Sequence, residues 1–67
     1  MSNFAEYLNQ LRTSKRIGVR ELGRTVGVTG MHISNMEKGK SLPSPALIVK
    51  LAEALETDVD EMSHRAN

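Results

Sequence analysis

Residues 19–36 read VRELGRTVGVTGMHISNM, and the order of apolar, small and capping residues in this stretch decides the fold. Leu22 and Val26 recur at i, i+4 and give a helix over about residues 19–26 its apolar side. Gly23 lies inside that helix, where it costs about 0.8–1 kcal/mol relative to alanine. A glycine kept there predicts the close approach of another helix backbone. Gly27 ends the helix and suits the left-handed conformation of a C′ residue. Thr29, two residues on, is a good N-cap for the next helix, over about 30–38. Ile33 and Met36 face inward on that helix, and Gly30, Met31, His32, Ser34 and Asn35 are left outside or at its margins. A stop and a start so close together leave a turn of about three residues, the length of a helix-turn-helix connection.

The flanks read as three more helices. Phe4, Leu8 and Leu11 form one apolar stripe on a helix over about 3–14, with Asn3 and Glu6 spaced as a capping box and Ser2 as a rival cap. Ile17 packs behind this helix, and Gly18 is expected to reset the chain. Lys40 to Pro43 form a loop. Ser44 and Pro45 then start a helix with serine as cap and proline at the first helical position. Its broad apolar face, including Ala46, Leu47, Ile48, Leu51, Ala52 and Leu55, runs to about residue 56. Asp58 with Glu61 starts a short fifth helix carrying Val59 and Met62, and residues His64 to Asn67 are expected to fray.

The expected architecture is therefore all-α, a five-helix domain over residues 1–67. A core of this size supplies no more than roughly 3–5 kcal/mol unaided. With no cysteine in the chain, neither disulfides nor cysteine-ligated zinc can add to it. The lack of cysteine, of a signal-like N-terminus and of any apolar run near the roughly 20 residues of a membrane span fits a cytoplasmic protein.

Net charge is only +1, but it is unevenly spread. Residues 1–40 carry +4 and residues 41–67 carry −3. One part can face phosphates while the other faces away; an ordinary solvated surface is the plainer reading.

Beyond the helix-turn-helix register, the flanks carry a resemblance. The run Ile33-Ser34-Asn35-Met36-Glu37-Lys38-Gly39-Lys40, then Pro43, the run Lys50-Leu51-Ala52-Glu53-Ala54-Leu55, and Val59-Asp60-Glu61-Met62 are similar to the lambda-repressor and Cro-like helix-turn-helix family, also called the XRE family. The resemblance covers residues 4–62. It implies a DNA-binding transcriptional regulator, of repressor type, whose third helix enters the major groove of double-stranded DNA.

The resemblance places Gly30, Met31, His32 and Asn35 at the bases. Asn35 can bond an adenine edge bidentately, or else is a solvated polar residue. Met31 packs either on a thymine methyl or into the protein's own core. His32 donates to a base or a phosphate, or is plain surface. Arg20, Arg24, Thr29, Lys38, Lys40 and Ser41 are the candidates for phosphate contacts, with a solvated charge the rival reading for Arg24. Arg12 and Glu37 match positions that form an internal ion pair in some relatives, a structural role. Many members carry glutamine at the positions matching Val19 and Gly30, for a phosphate and an adenine contact. Neither amide is present here, which implies either a different readout, more dependent on DNA shape, or reduced DNA binding.

A homodimer on a palindromic operator is expected, since one module of this size buries only about 600–1,000 Å² on DNA. The fifth helix and the loop near Leu42 and Pro43 would form the dimer surface. No cofactor and no metal is expected. The residues argue against an enzyme: His32 and His64 are the only histidines, no phosphate-loop glycine pattern occurs, and the carboxylates from Glu53 to Glu61 read as a solvated face. The rival function is a protein-binding module, an antitoxin or an adaptor, on the same fold.

Overall fold

In the computed structural model, which describes residues 3–66, Asn3 is extended and its Oδ1 accepts the Glu6 N–H at 2.9 Å. That bond starts α1 (Phe4–Ser14). The rival cap Ser2 lies outside the described residues, as do the outermost positions of the expected 1–67 domain. Four helices follow: α2 (Val19–Val26), α3 (Gly30–Glu37), α4 (Pro45–Ala54) and α5 (Val59–Ala66). No strand occurs among the described residues, so the fold is all-α with five helices. None of these helices is long and apolar enough to cross a membrane.

α2 starts at Gly18 without a side-chain cap, whereas α3, α4 and α5 have theirs where the sequence places them. Thr29 Oγ1 accepts the His32 N–H at 3.1 Å, and Ser44 Oγ accepts the Leu47 N–H at 3.2 Å with Pro45 in the first turn. Asp58 Oδ1 accepts the Asp60 N–H at 2.7 Å. The Glu61 carboxylate faces along the helix instead, 3.4 Å from the Arg65 guanidinium.

The helix ends follow one rule. After α1 to α4 a residue turns left-handed, and the next N–H reaches back to a carbonyl five residues earlier. The left-handed residues are Arg16, Gly27, Gly39 and Glu56, with φ of 59°, 86°, 77° and 56°. The closing bonds run from Ile17 to Arg12 at 3.2 Å, Val28 to Gly23 at 2.8 Å, Lys40 to Asn35 at 2.9 Å and Thr57 to Ala52 at 2.9 Å.

Four expectations change. The chain resets after α1 at Arg16, whereas Gly18 has ordinary extended backbone and leads into α2. α4 stops at Ala54 because Glu56 is left-handed, and Lys38 caps α3 rather than extending it to 38. Nor do His64 to Ala66 fray. They continue α5, held by the Arg65 guanidinium 4.7 Å from the centre of the Tyr7 ring and by Ala66 packed against the core. A cation over an aromatic face adds favourable electrostatics to that packing. The last position of the expected frayed stretch, Asn67, is outside the described residues.

Leu8, Leu22, Ile33, Met36, Leu51, Leu55 and Met62 are fully buried, at least one from every helix. α2 crosses α3, α1 packs on α3 and α5, and α4 packs on α5 and α2. The crossing of α2 and α3 is set at Gly23. A Cβ there would stand 2.6 Å from the Val28 carbonyl oxygen and 2.9 Å from the Thr29 carbonyl carbon. Both are backbone atoms, so no side-chain rotation can make room.

Gly23→Ala should therefore cost about 1–3 kcal/mol of stability, against a helix-propensity gain of about 1 kcal/mol. Urea denaturation measures the difference, and a midpoint raised by the full helix-propensity gain would show that the backbones are not in contact. Arg16→Gly should act in the opposite direction. It relieves about 1 kcal/mol of left-handed strain at an exposed site, and a higher melting temperature is the expected result.

Candidate nucleic-acid interface

The tight crossing leaves the outer edge of α3 exposed beside the start of α2. Between them lies an open, shallow concavity. Val19 and Arg20 of α2 form one wall; Gly30, Met31, Ser34 and Asn35 of α3 form the other. Lys38 and Lys40, just past α3, close one end. Gly30 sets how near the walls stand: a Cβ there would lie 3.0 Å from Arg20 Cγ and 3.1 Å from Arg20 Cα. A Cβ at 30 would need Arg20 to give by a few tenths of an ångström. The missing amide thus coincides with a close approach of the two helix starts.

Of the four base-facing candidates, three line the concavity. Met31 is 74% exposed, which removes the reading that puts it in the core. Asn35 is half-buried along the concavity wall. His32 is half-buried and does not line it, although its N–H completes the Thr29 cap. Of the six phosphate candidates, Arg20, Lys38 and Lys40 edge the concavity, and Arg24 and Thr29 are exposed outside it. Ser41 stands elsewhere, on a separate apolar groove with Phe4, Met36 and Leu42. Ser34 is a lining residue that the sequence reading left out of the site. Its signal was the i, i+3 spacing from Met31, which puts both on one helix edge.

No carboxylate lines the concavity. Among the described residues, ion pairs engage Arg12, Lys15 and Arg65, whereas Arg20, Arg24, Lys38 and Lys40 enter none. The charge that could meet an anion is thus uncommitted at this face. No group of three or more metal-ligating side chains occurs among the described residues.

Behind the concavity, α3 is anchored to α1. Arg12 grips Glu37 in fork geometry, Nε to Oε2 at 2.5 Å and the Nη2 nitrogen to Oε1 at 2.9 Å. Its remaining nitrogen, Nη1, donates to the Ile17 carbonyl at 2.8 Å. The Asn9 amide, one turn earlier on α1, donates to Glu37 Oε1 at 2.8 Å. The side chains are only 15% and 9% exposed. Burial by itself pushes the Glu37 carboxyl up, but the hydrogen bonds from Arg12 and Asn9 and the Arg12 charge outweigh it and hold the group below the ordinary glutamate value. The hydrogen bond with Glu37 likewise raises Arg12. Both partners favour their charged forms.

Against known proteins, the profile of a helix-turn-helix domain matches residues 3–64. The chain belongs to the helix-turn-helix domain family. Within that family, the HTH-type transcriptional repressor RghR of Bacillus subtilis (strain 168) is 39% identical over 67 residues, 98% of this chain and 50% of that protein. The chain spans about half the length of the curated relatives it matches. Among solved structures, the P22 c2 repressor in complex with synthetic operator 9T superposes with a TM-score of 0.87 at 26% identity, over 92% of this chain and 94% of that one. The restriction-modification controller protein C.AhdI of Aeromonas hydrophila gives 0.81 at 30% identity, over 88% and 86%. The fold is the lambda-repressor-like one.

The ion pair makes a pH-dependent contribution. The folded carboxyl of Glu37 is depressed, so its stabilisation is complete above the unfolded glutamate value near about 4.3. It is lost as pH falls through the lower, folded value. Glu37→Gln should reduce stability at neutral pH by about 2–3 kcal/mol, somewhat under the cost of breaking a fully buried pair. It should also flatten the loss of stability below pH about 4. Denaturation midpoints measured from pH 7 to pH 3 check both. An equally steep acid loss in the variant would assign that loss to other carboxylates.

Proposed function

We propose that this chain is the DNA-reading domain of a transcriptional regulator of repressor type, binding double-stranded DNA by sequence. One observation carries the reading: the exposed edge of α3 is flanked by three uncommitted cations, Arg20, Lys38 and Lys40, with no carboxylate in the concavity. A single helix fits the roughly 12 Å major groove of B-DNA. With α3 in the groove, Asn35 and Ser34 face base edges and the flanking cations face phosphates. Arg24 and the Thr29 hydroxyl, outside the concavity, lie where the duplex backbone would continue.

The affinity of such a surface comes largely from counterion release. Its specificity comes from a second copy on a palindromic site, with half-sites about 34 Å apart. Leu42, 71% exposed beside the apolar groove that α5 borders through Arg65 and Ala66, supports the dimeric form. A cytoplasmic location belongs to the same reading, as do the absence of catalysis and of a cofactor.

Selection of preferred sites from random duplexes, followed by titration across salt concentrations, tests the proposal. Lys40→Ala should weaken binding to all sequences alike and make the salt dependence shallower by about one ion. Asn35→Ala should instead relax preference at one or two base pairs, by about 1–3 kcal/mol of discrimination. Failure to enrich any site, with tight binding to a protein ligand at the same face, would replace the regulator by an antitoxin or adaptor.

A further inference from the structure

The leading end of the concavity, where α2 and α3 both begin, holds one polar side chain among the described residues. Val19 and Met31 are apolar there, Gly30 has no side chain, and His32 does not line the surface. The remaining residue is Arg20. Its stem lies across the bare α-carbon of Gly30: a Cβ at 30 would stand 3.0 Å from Arg20 Cγ, 3.1 Å from its Cα and 3.2 Å from its backbone nitrogen. The room that a side chain at 30 would take is thus taken by an arginine of the neighbouring helix. Arg20 is exposed, it enters no ion pair among the described residues, and no carboxylate lines the concavity to compete for it. Lys38 and Lys40 stand apart from it, at and past the other end of α3.

Resting on the DNA-binding reading above, we infer that Arg20 goes past the phosphates and reads a guanine in the major groove from α2, leaving the backbone to the other flanking cations. A phosphate can be held by a point charge, which a lysine at the rim supplies. Guanine is different: it presents O6 and N7 side by side in the major groove, two acceptors that the planar guanidinium fork meets together. Arg20 is the side chain at this end that donates hydrogen bonds, so side-chain bonding to base edges at the start of α3 falls to it. A stem laid along Gly30 narrows the directions open to the guanidinium, and that reduces the ordering cost of such a contact. Glycine at 30 and arginine at 20 therefore act as one device. The side chain that residue 30 lacks is replaced by a longer one from α2, which supplies hydrogen-bonded readout where neither amide is present.

The test uses the site chosen by selection from random duplexes. Each guanine of a half-site is replaced in turn by 7-deazaguanine, which removes the N7 acceptor and leaves Watson–Crick pairing in place. Binding of the wild-type protein should fall about fivefold at one position, the share of one bond in a bidentate pair. Arg20→Ala should bind more weakly and show no difference between guanine and 7-deazaguanine at that position. Offered random duplexes, it should accept any base pair there. Lys40→Ala should keep the difference in full. A selected half-site with no fixed G·C pair, equal binding to every substituted duplex, or a 7-deazaguanine effect that persists in Arg20→Ala overturns the inference while leaving DNA binding intact. So does an Arg20→Ala variant that loses affinity equally on all sequences, the behaviour of a phosphate contact. No enrichment of any duplex overturns the DNA-binding reading itself. Because Arg20 is exposed, circular dichroism of Arg20→Ala should match the wild type.

Discussion

The close passage of two backbones at Gly23 governs the rest of the molecule. With Val28 and Thr29 pressed against that α-carbon, α2 and α3 cross too tightly for any side chain to sit between them. The apolar residues must then fill the angle between the helices: Leu22 and Val26 on one arm, Ile33 and Met36 on the other. α1, α4 and α5 close over that wedge and bring Leu8, Leu51, Leu55 and Met62 to it. The outer edge of α3 is left uncovered because α3 packs chiefly on α1 and α2, on its other sides. Projection of that edge is thus a packing result.

Polar groups are placed with equal economy. Among the described residues no polar or charged residue is fully buried, and no buried side-chain polar atom lacks a partner. The nearest to an interior charge is the Arg12–Glu37 pair, and it is supplied with donors from Asn9 and an acceptor at Ile17. A planar guanidinium meeting a carboxylate through two parallel bonds fixes direction as well as distance. The pair joins the last turn of α1 to the last residue of α3.

Much of this was legible in the sequence where the governing interaction is local. The Gly27 and Thr29 stop-start signal, the Asn3, Ser44 and Asp58 caps and the apolar stripes all act within a few residues, so their spacing carries the message. Gly23 was legible for a related reason: a residue poor for its helix needs a compensating contact. The remainder depended on neighbours distant in the chain. Arg16 and Glu56 turn left-handed because Ile17 and Thr57 must pack or bond beyond them, and neither arginine nor glutamate advertises that conformation. The final turn of α5 exists because Arg65 finds the Tyr7 ring, a meeting no window of sequence contains. In the candidate site, Met31, Asn35 and the flanking cations could be named from the helical edge. Ser34 was passed over, Ser41 proved to face another groove, and the close neighbour of Gly30 proved to be Arg20.

The fork between Arg12 and Glu37 has one more implication. α3 is only eight residues long, yet its beginning is wedged against Arg20 and its end is bolted to α1. A rod so short, seized at both extremities, has little freedom to tilt or slide within the body that carries it. In the proposed function it would act as a stylus rather than a finger, and the accommodation would have to come from the surface it is pressed into.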